Sequence, residues 1–141
     1  MMPSPAVRVG IVGAGVSATT FHAPFLVSNP SFKLTRFLRT SGRTPVAGFE
    51  KLQVETDMQQ FLSDIDLVVI TTPTYTHASI AKACLQAGKH VILEKPMCTT
   101  FAEATQLCTL ARQHNLLLAV YHNRRWDGDF RTVSALVKSG K

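Results

Sequence analysis

The chain alternates short apolar runs with stretches of helical periodicity, and this alternation limits its fold more than any other feature. Val7–Val12, Phe32–Leu38, Leu67–Ile70, Val91–Leu93 and Leu116–Tyr121 are too short for core helices and rich in β-branched residues. Val54 marks a sixth, very short run. Between them, helices are predicted over Val16–Val27, Asp57–Leu62, His77–Ala87, from Phe101 onward, and over Phe130–Lys138, with at best a short one at Pro45–Leu52. Strands that alternate with helices build parallel sheets covered on both faces. The expected fold is therefore α/β, a doubly wound parallel sheet of six strands. With 141 residues, 45% of them apolar and 17% charged, the chain has material for one real core and is not of the disordered class.

Local signals sharpen the helices. Pro24 predicts a kink or an early end in the first, whose inner face is read as Ala18, Phe21, Phe25 and Leu26. Thr56 or Asp57 is the expected cap of the short second helix. Ile80, Cys84 and Ala87 are the expected inner stripe of the next, with Gly88 as its stop. Thr100 and Glu103 form a capping-box pattern ahead of Phe101, Ala104, Leu107, Cys108 and Ala111 at core spacing.

Several function classes recede on composition. No apolar run reaches the roughly 18 residues of a membrane span, and Met1–Pro5 lacks the positive charge and apolar core of a signal peptide, so a cytoplasmic location is expected. Cys84, Cys98 and Cys108 have no CxxC spacing, which points away from a disulfide framework or a metal site. The net charge is +6, but only Arg124 and Arg125 are adjacent among the basic residues, so no nucleic-acid partner is expected.

Gly13-Ala14-Gly15-Val16-Ser17-Ala18 fits G-x-G-x-x-A between a strand and a helix. The first glycine permits a tight turn, the second lets backbone approach a pyrophosphate, and the small sixth residue allows close helix–strand packing. Gly13, Gly15, Val16 and Ser17 are thus candidate dinucleotide ligands of a Rossmann fold. A site preferring NAD carries an acid near the end of the second strand. Here Arg39, Thr40, Ser41 and Arg43 stand instead, the first acid of the whole chain is Glu50, and none is expected within reach. Two guanidinium groups and two hydroxyls suit a 2′-phosphate, so the expected cofactor is NADP rather than NAD.

Glu94-Lys95-Pro96 follows an apolar run, where open α/β sheets bind ligands at the carboxyl ends of their strands. With Gly13-x-Gly15, Thr72-Pro73, His77 and Ala87-Gly88-Lys89-His90-Val91, the tripeptide resembles the Gfo/Idh/MocA oxidoreductases. Phe21-His22-Ala23-Pro24 and His122-Asn123-Arg124-Arg125-Trp126-Asp127 are similar to the branch of NADP-dependent scyllo-inositol dehydrogenases.

The resemblance implies hydride transfer between NADP and a hydroxyl or keto carbon of a sugar, inositol or other polyol. It implies that Lys95 is catalytic, beside the reacting carbon, and that Glu94 lies near the nicotinamide ribose. It places Thr72, Pro73, His77 and Asn123 beside the cofactor, and His122 and Arg125 near the substrate; no metal is implied. It also implies a division into a dinucleotide-binding domain at 1–122 and a helical lead-in at 123–141 to a second, α+β domain that is absent here. A possible homo-oligomer follows, with Phe130, Val133 and Val137 left exposed. Simpler readings stand beside these: His77 as a helix cap, His22 as a satisfied helix residue, Arg124 and Arg125 as a solvated pair, Trp126 as a packing residue, and the whole chain as a non-catalytic dinucleotide-binding module.

Overall fold

The computed structural model describes residues 5–140; the expectations at Met1–Ser4 and Lys141 lie outside them. Six strands form one sheet: β1 (Val7–Val12), β2 (Phe32–Leu38), β3 (Gln53–Glu55), β4 (Leu67–Ile70), β5 (His90–Leu93) and β6 (Leu118–Val120). Every pairing is parallel, and the order is β3-β2-β1-β4-β5-β6. The order reverses between β1 and β4. Connections leave those two strands toward opposite faces and open a crevice at their carboxyl ends. The expected doubly wound sheet is the observed one.

The sheet separates two apolar layers. Val9, Ile11, Leu67 and Val69 face the layer that includes Ala18, Ala23 and Val46. Val12, Val68, Ile70, Val91 and Leu93 face Phe61, Ile65, Leu85 and Leu107. Alternation along β4 sends successive side chains to opposite layers, so a four-residue strand is buried throughout. Gly10 lies beneath the second layer, where a Cβ would stand 2.2 Å from Ile65 Cδ1 and 2.6 Å from Phe61 Cζ. The close seating of that layer on β1 requires a residue without a side chain.

Helices α1 (Ala23–Ser28), α2 (Met58–Leu62), α3 (His77–Gln86), α4 (Phe101–Gln113) and α5 (Gly128–Lys138) connect or follow the strands. Asp57 caps α2 through the Gln60 N–H at 2.8 Å, Gly88 adopts φ 74° after α3, and Thr100 and Glu103 close the capping box of α4.

Five sequence expectations are corrected. The single helix over Val16–Val27 is a π-helical segment, Ser17–His22, followed by α1. Pro24 has no N–H to offer the carbonyl one turn back, and the wider turn just before it relieves that conflict. The extra residue in this turn shifts the buried face to Ala18, His22 and Ala23, leaving Phe21 and Phe25 exposed. Pro45–Leu52 forms only turns, held inward by buried Val46. On α3 the buried stripe is His77, Ala81, Cys84 and Leu85, and Ala87 is exposed beyond the helix end. On α4 the buried residues are Leu107 and Ala111; Phe101 sits ahead of that stripe at the first helical position and is 88% exposed, and Cys108 is only half-buried. The sixth strand is shorter than its apolar run because the Leu117 N–H turns to His90 Nδ1.

At the amino ends of the strands, Asp66 accepts from the Arg8 N–H at 2.9 Å, from Nε at 3.0 Å and from Nη2 at 2.7 Å. These Arg8 hydrogen bonds lower the Asp66 carboxyl from 3.8 to about 2. The folded pKa is below the unfolded one, so the contribution is full above about pH 4 and lost as pH falls through about 2. Both side chains are well exposed, which limits it to roughly 1 kcal/mol. Asp66→Asn is expected to cost about that much at neutral pH and to flatten the acid loss of stability, as read by urea unfolding at several pH values. Equal acid sensitivity in both proteins would contradict the assignment.

Candidate functional site

The crevice begins where β1 ends. Gly13 has φ 97°, and its N–H donates to the Leu38 carbonyl at 2.9 Å. A Cβ on Gly13 would lie 2.7 Å from Thr71 Oγ1 and 3.2 Å from the Thr71 backbone, so this glycine is demanded by the protein itself. Gly15 differs. A Cβ there meets nothing within 4 Å, and its φ lies outside the positive range. Nothing internal excludes a side chain at Gly15, whereas a phosphate group approaching the loop would. Val16 and Ser17 then open the π-helical segment, whose first turn holds no acid.

The opposite lip comes from β4. Thr71 Oγ1 donates to the Val12 carbonyl at 3.0 Å, and Thr76 Oγ1 donates to Thr72 Oγ1 at 2.7 Å. Pro73 leads into a short 3₁₀ turn, Thr74–Thr76. His77 stands behind this loop rather than on it. It is 1% exposed, with Nε2 2.8 Å from the Thr72 carbonyl oxygen and Nδ1 3.0 Å from that of Pro96. Its ring ties the Thr72 loop to the Pro96 loop. It makes no side-chain cap of α3.

At the end of β5, the Glu94 N–H donates to the Ile70 carbonyl at 3.0 Å, continuing the ladder to the rim. The Glu94 carboxylate is held by Ser17 Oγ at 2.5 Å, His22 Nε2 at 2.9 Å and the Lys95 N–H at 3.1 Å. Burial pushes this carboxyl up, but hydrogen bonds from Ser17, His22 and the Lys95 N–H together outweigh it and hold the group below its ordinary value. The Lys95–Pro96 peptide is cis. Lys95 is exposed and makes no ion pair among the described residues.

Two clefts meet at Lys95. The smaller, about 410 Å³, is bounded by Ser17, Thr71, Thr72, Glu94 and Asn123. The larger, about 1050 Å³, is bounded by His122, Arg125, Asp127, Asp129, Phe130 and Val133. Lys95, Tyr121, Asn123 and Arg124 border both. The fold thus brings together Ser17, Thr72, Glu94, Lys95, His122, Asn123 and Arg125, from four separate stretches of the sequence.

Arg39, Thr40, Ser41 and Arg43 lie at the far end of the crevice, after β2. Arg39 donates from Nη1 to the Thr44 carbonyl at 3.1 Å and from its N–H to the Glu55 carbonyl at 2.9 Å. Arg43 Nη2 is 3.3 Å from Glu55 Oε2 and 3.4 Å from Gln60 Oε1. The expectation that no acid is within reach is therefore corrected. Glu55 pairs with Leu38 across β2 and β3 and so stands beside the loop despite its distance in sequence.

Tyr121 and Arg124 were missed among the site residues. Tyr121 ends β6 much as Glu94 ends β5; that strand-end position was the available signal. Its ring packs against His22 with centroids 4.2 Å apart, and its hydroxyl donates to the Phe21 carbonyl at 3.1 Å. Arg124 pairs with Asp127 at 2.6 Å while staying exposed, as the reading of a solvated pair with Arg125 expects. Trp126, expected to pack, is exposed, as are Phe130, Val133, Leu136 and Val137. Among the described residues no helix is long and apolar enough to cross a membrane.

A parallel sheet with its crevice at the β1–β4 reversal, a glycine-rich loop over that crevice and a free lysine beyond it define a dinucleotide-binding Rossmann domain. Residues 7–122 match the oxidoreductase family with an NAD-binding Rossmann fold, Gfo/Idh/MocA, and the chain belongs to that family. It is 41% identical over 145 residues to an uncharacterized oxidoreductase of Schizosaccharomyces pombe, covering 97% of this chain and 39% of the relative. It is 38% identical over 136 residues to scyllo-inositol 2-dehydrogenase (NADP(+)) IolW of Bacillus subtilis, covering 95% of this chain and 38% of that enzyme. The crystal structure of an oxidoreductase from Bacillus cereus superposes with a TM-score of 0.86 at 35% identity, over 96% of this chain and 40% of that one. The chain thus spans about two fifths of the length of the relatives it matches.

Proposed function

We propose that this chain is the cofactor-binding part of an NADP-dependent oxidoreductase that transfers hydride between the nicotinamide and a hydroxyl or keto carbon of a sugar, inositol or other polyol, in the cytoplasm. The observation that carries the reading is Lys95, without an ion-pair partner among the described residues, at the junction of the two clefts. The smaller cleft suits a nicotinamide and its ribose, and the larger a polyol. Bound NADP would supply hydride exchange. In reduction the Lys95 ammonium would hydrogen-bond the carbonyl oxygen and give it a proton as hydride reaches the carbon; in oxidation the neutral Lys95 amine would take the hydroxyl proton as hydride leaves. Glu94 would accept from a ribose hydroxyl, Thr72, Pro73 and Asn123 would line the nicotinamide end, and His122 and Arg125 would face the substrate.

In this reading residues 1–122 form the dinucleotide unit and 123–141 a separate segment; α5 packs chiefly against the Asn123–Trp126 turn. The relationship to IolW supports NADP. So does Arg39, which spends one guanidinium nitrogen on Thr44 and keeps others for a phosphate. Arg43, already paired with Glu55, is the weaker of the two candidates. Calorimetric titration tests the choice. NADPH is expected to bind at least about tenfold more tightly than NADH, and Arg39→Asp to erase that difference through the loss of a charge-assisted contact. Tighter binding of NADH by the wild-type protein would exclude the assignment.

A further inference from the structure

We propose that His22 is a positioning residue for the nicotinamide end of the site, acting through Glu94. The inference rests on the dinucleotide reading above and adds to it a residue that does not itself line the crevice. His22 is the last residue of the π-helical segment and is 5% exposed. A burial this complete, in a polar side chain, calls for a partner.

Its partner is the Glu94 carboxylate, 2.9 Å from Nε2. An ionised carboxylate only accepts, so Nε2 carries the hydrogen and donates it. Four further contacts fix the arrangement. The Tyr121 ring lies against the imidazole, and the Tyr121 hydroxyl donates to the carbonyl of Phe21, the residue before His22. Ser17, at the start of the same segment, donates to the oxygen that His22 engages. The Lys95 N–H takes the other oxygen.

Glu94 is therefore fastened from the glycine-loop side and from its own strand end together, and it borders the smaller cleft. A carboxylate so held keeps one orientation toward a ribose hydroxyl, without the loss of side-chain freedom on binding that a mobile glutamate suffers. The widened turn before Pro24 has a consequence here. The wider spacing stacks residues five apart, so Ser17 and His22 reach the same Glu94 oxygen; an ordinary α turn would separate those two side chains.

The test compares two ligands that share an adenine end. Wild-type protein, His22→Leu and His22→Gln are titrated with NADPH and with adenosine 2′,5′-bisphosphate, with thermal unfolding followed in parallel. His22→Leu is expected to weaken NADPH about tenfold, the effect of losing one hydrogen bond to a charged group, and to leave the bisphosphate within about twofold. His22→Gln, whose side-chain amide can place a donor near the Nε2 position, is expected to recover most of the NADPH affinity. Unchanged NADPH affinity in folded His22→Leu overturns the proposal, and so does an equal loss for both ligands. If leucine prevents folding, His22→Asn, whose amide is too short to reach Glu94, takes its place with the same expected and contrary results. Wild-type protein that binds neither ligand would overturn the dinucleotide reading itself, a different outcome from either of these.

Discussion

Gly15→Ala is expected to weaken NADPH binding roughly 100-fold, about 2.7 kcal/mol, while its thermal midpoint stays within about 2 °C of wild type. The added methyl meets no protein atom within 4 Å, and φ is not positive, so the fold has no reason to resist it. It enters the space through which backbone N–H groups must reach a pyrophosphate. Gly13→Ala provides the contrast. There the methyl lies 2.7 Å from Thr71 Oγ1 and 3.2 Å from Thr71 backbone, in a residue held at φ 97°. Backbone strain and overpacking together are expected to cost roughly 3 kcal/mol, lowering the midpoint by about 10 °C. The two glycines, two residues apart, should thus separate into one that serves the ligand and one that serves the fold. Equal destabilisation by both substitutions would show that Gly15 is structural as well.

Lys95→Met is the second large effect. The side chain is exposed, bonded to no described residue and placed at the meeting of the two clefts, so its removal should leave stability unchanged. If it stabilises charge on the substrate oxygen, the rate of hydride transfer to a polyol or its ketone is expected to fall roughly 10²–10⁴-fold. NADPH affinity should change by less than about threefold, because Glu94, not Lys95, meets the ribose in this account. Stopped-flow absorbance of NADPH separates the two quantities. A Lys95→Met protein with wild-type transfer rate would remove lysine from the chemistry and leave a dinucleotide-binding module.

The sheet was legible in the sequence because each buried strand is a short apolar run bounded by turn or cap residues. Leu67–Ile70 ends at Thr72-Pro73, and His90–Leu93 at Glu94-Lys95-Pro96. Helix ends were legible where one side chain closes them, as Asp57 and Thr100 do. What escaped depended on contacts between distant segments. The π-helical turn before Pro24 changes which residues face inward, and a period of 3.6 residues cannot anticipate that. Glu55 reaches Arg43 only because β3 pairs beside β2, and counting acids along the chain therefore missed it. His22, read as a satisfied helix residue, is satisfied indeed, but by a carboxylate of the site. His77, read from its motif alone, also braces two loops through the Thr72 and Pro96 carbonyls. In both cases the residue type was evident and its partner was not.

The crevice under the Gly13–Gly15 loop is expected to bind a nicotinamide dinucleotide. Amide resonances recorded during an NADPH titration of the wild-type protein test it most directly. Saturable binding in the micromolar range is expected, about −8 kcal/mol or tighter, with the largest shifts at Gly13, Gly15, Ser17 and Glu94 and a second group at Arg39–Ser41. No saturable change up to millimolar NADPH, or shifts confined to residues away from the carboxyl ends of β1, β4 and β5, would contradict it.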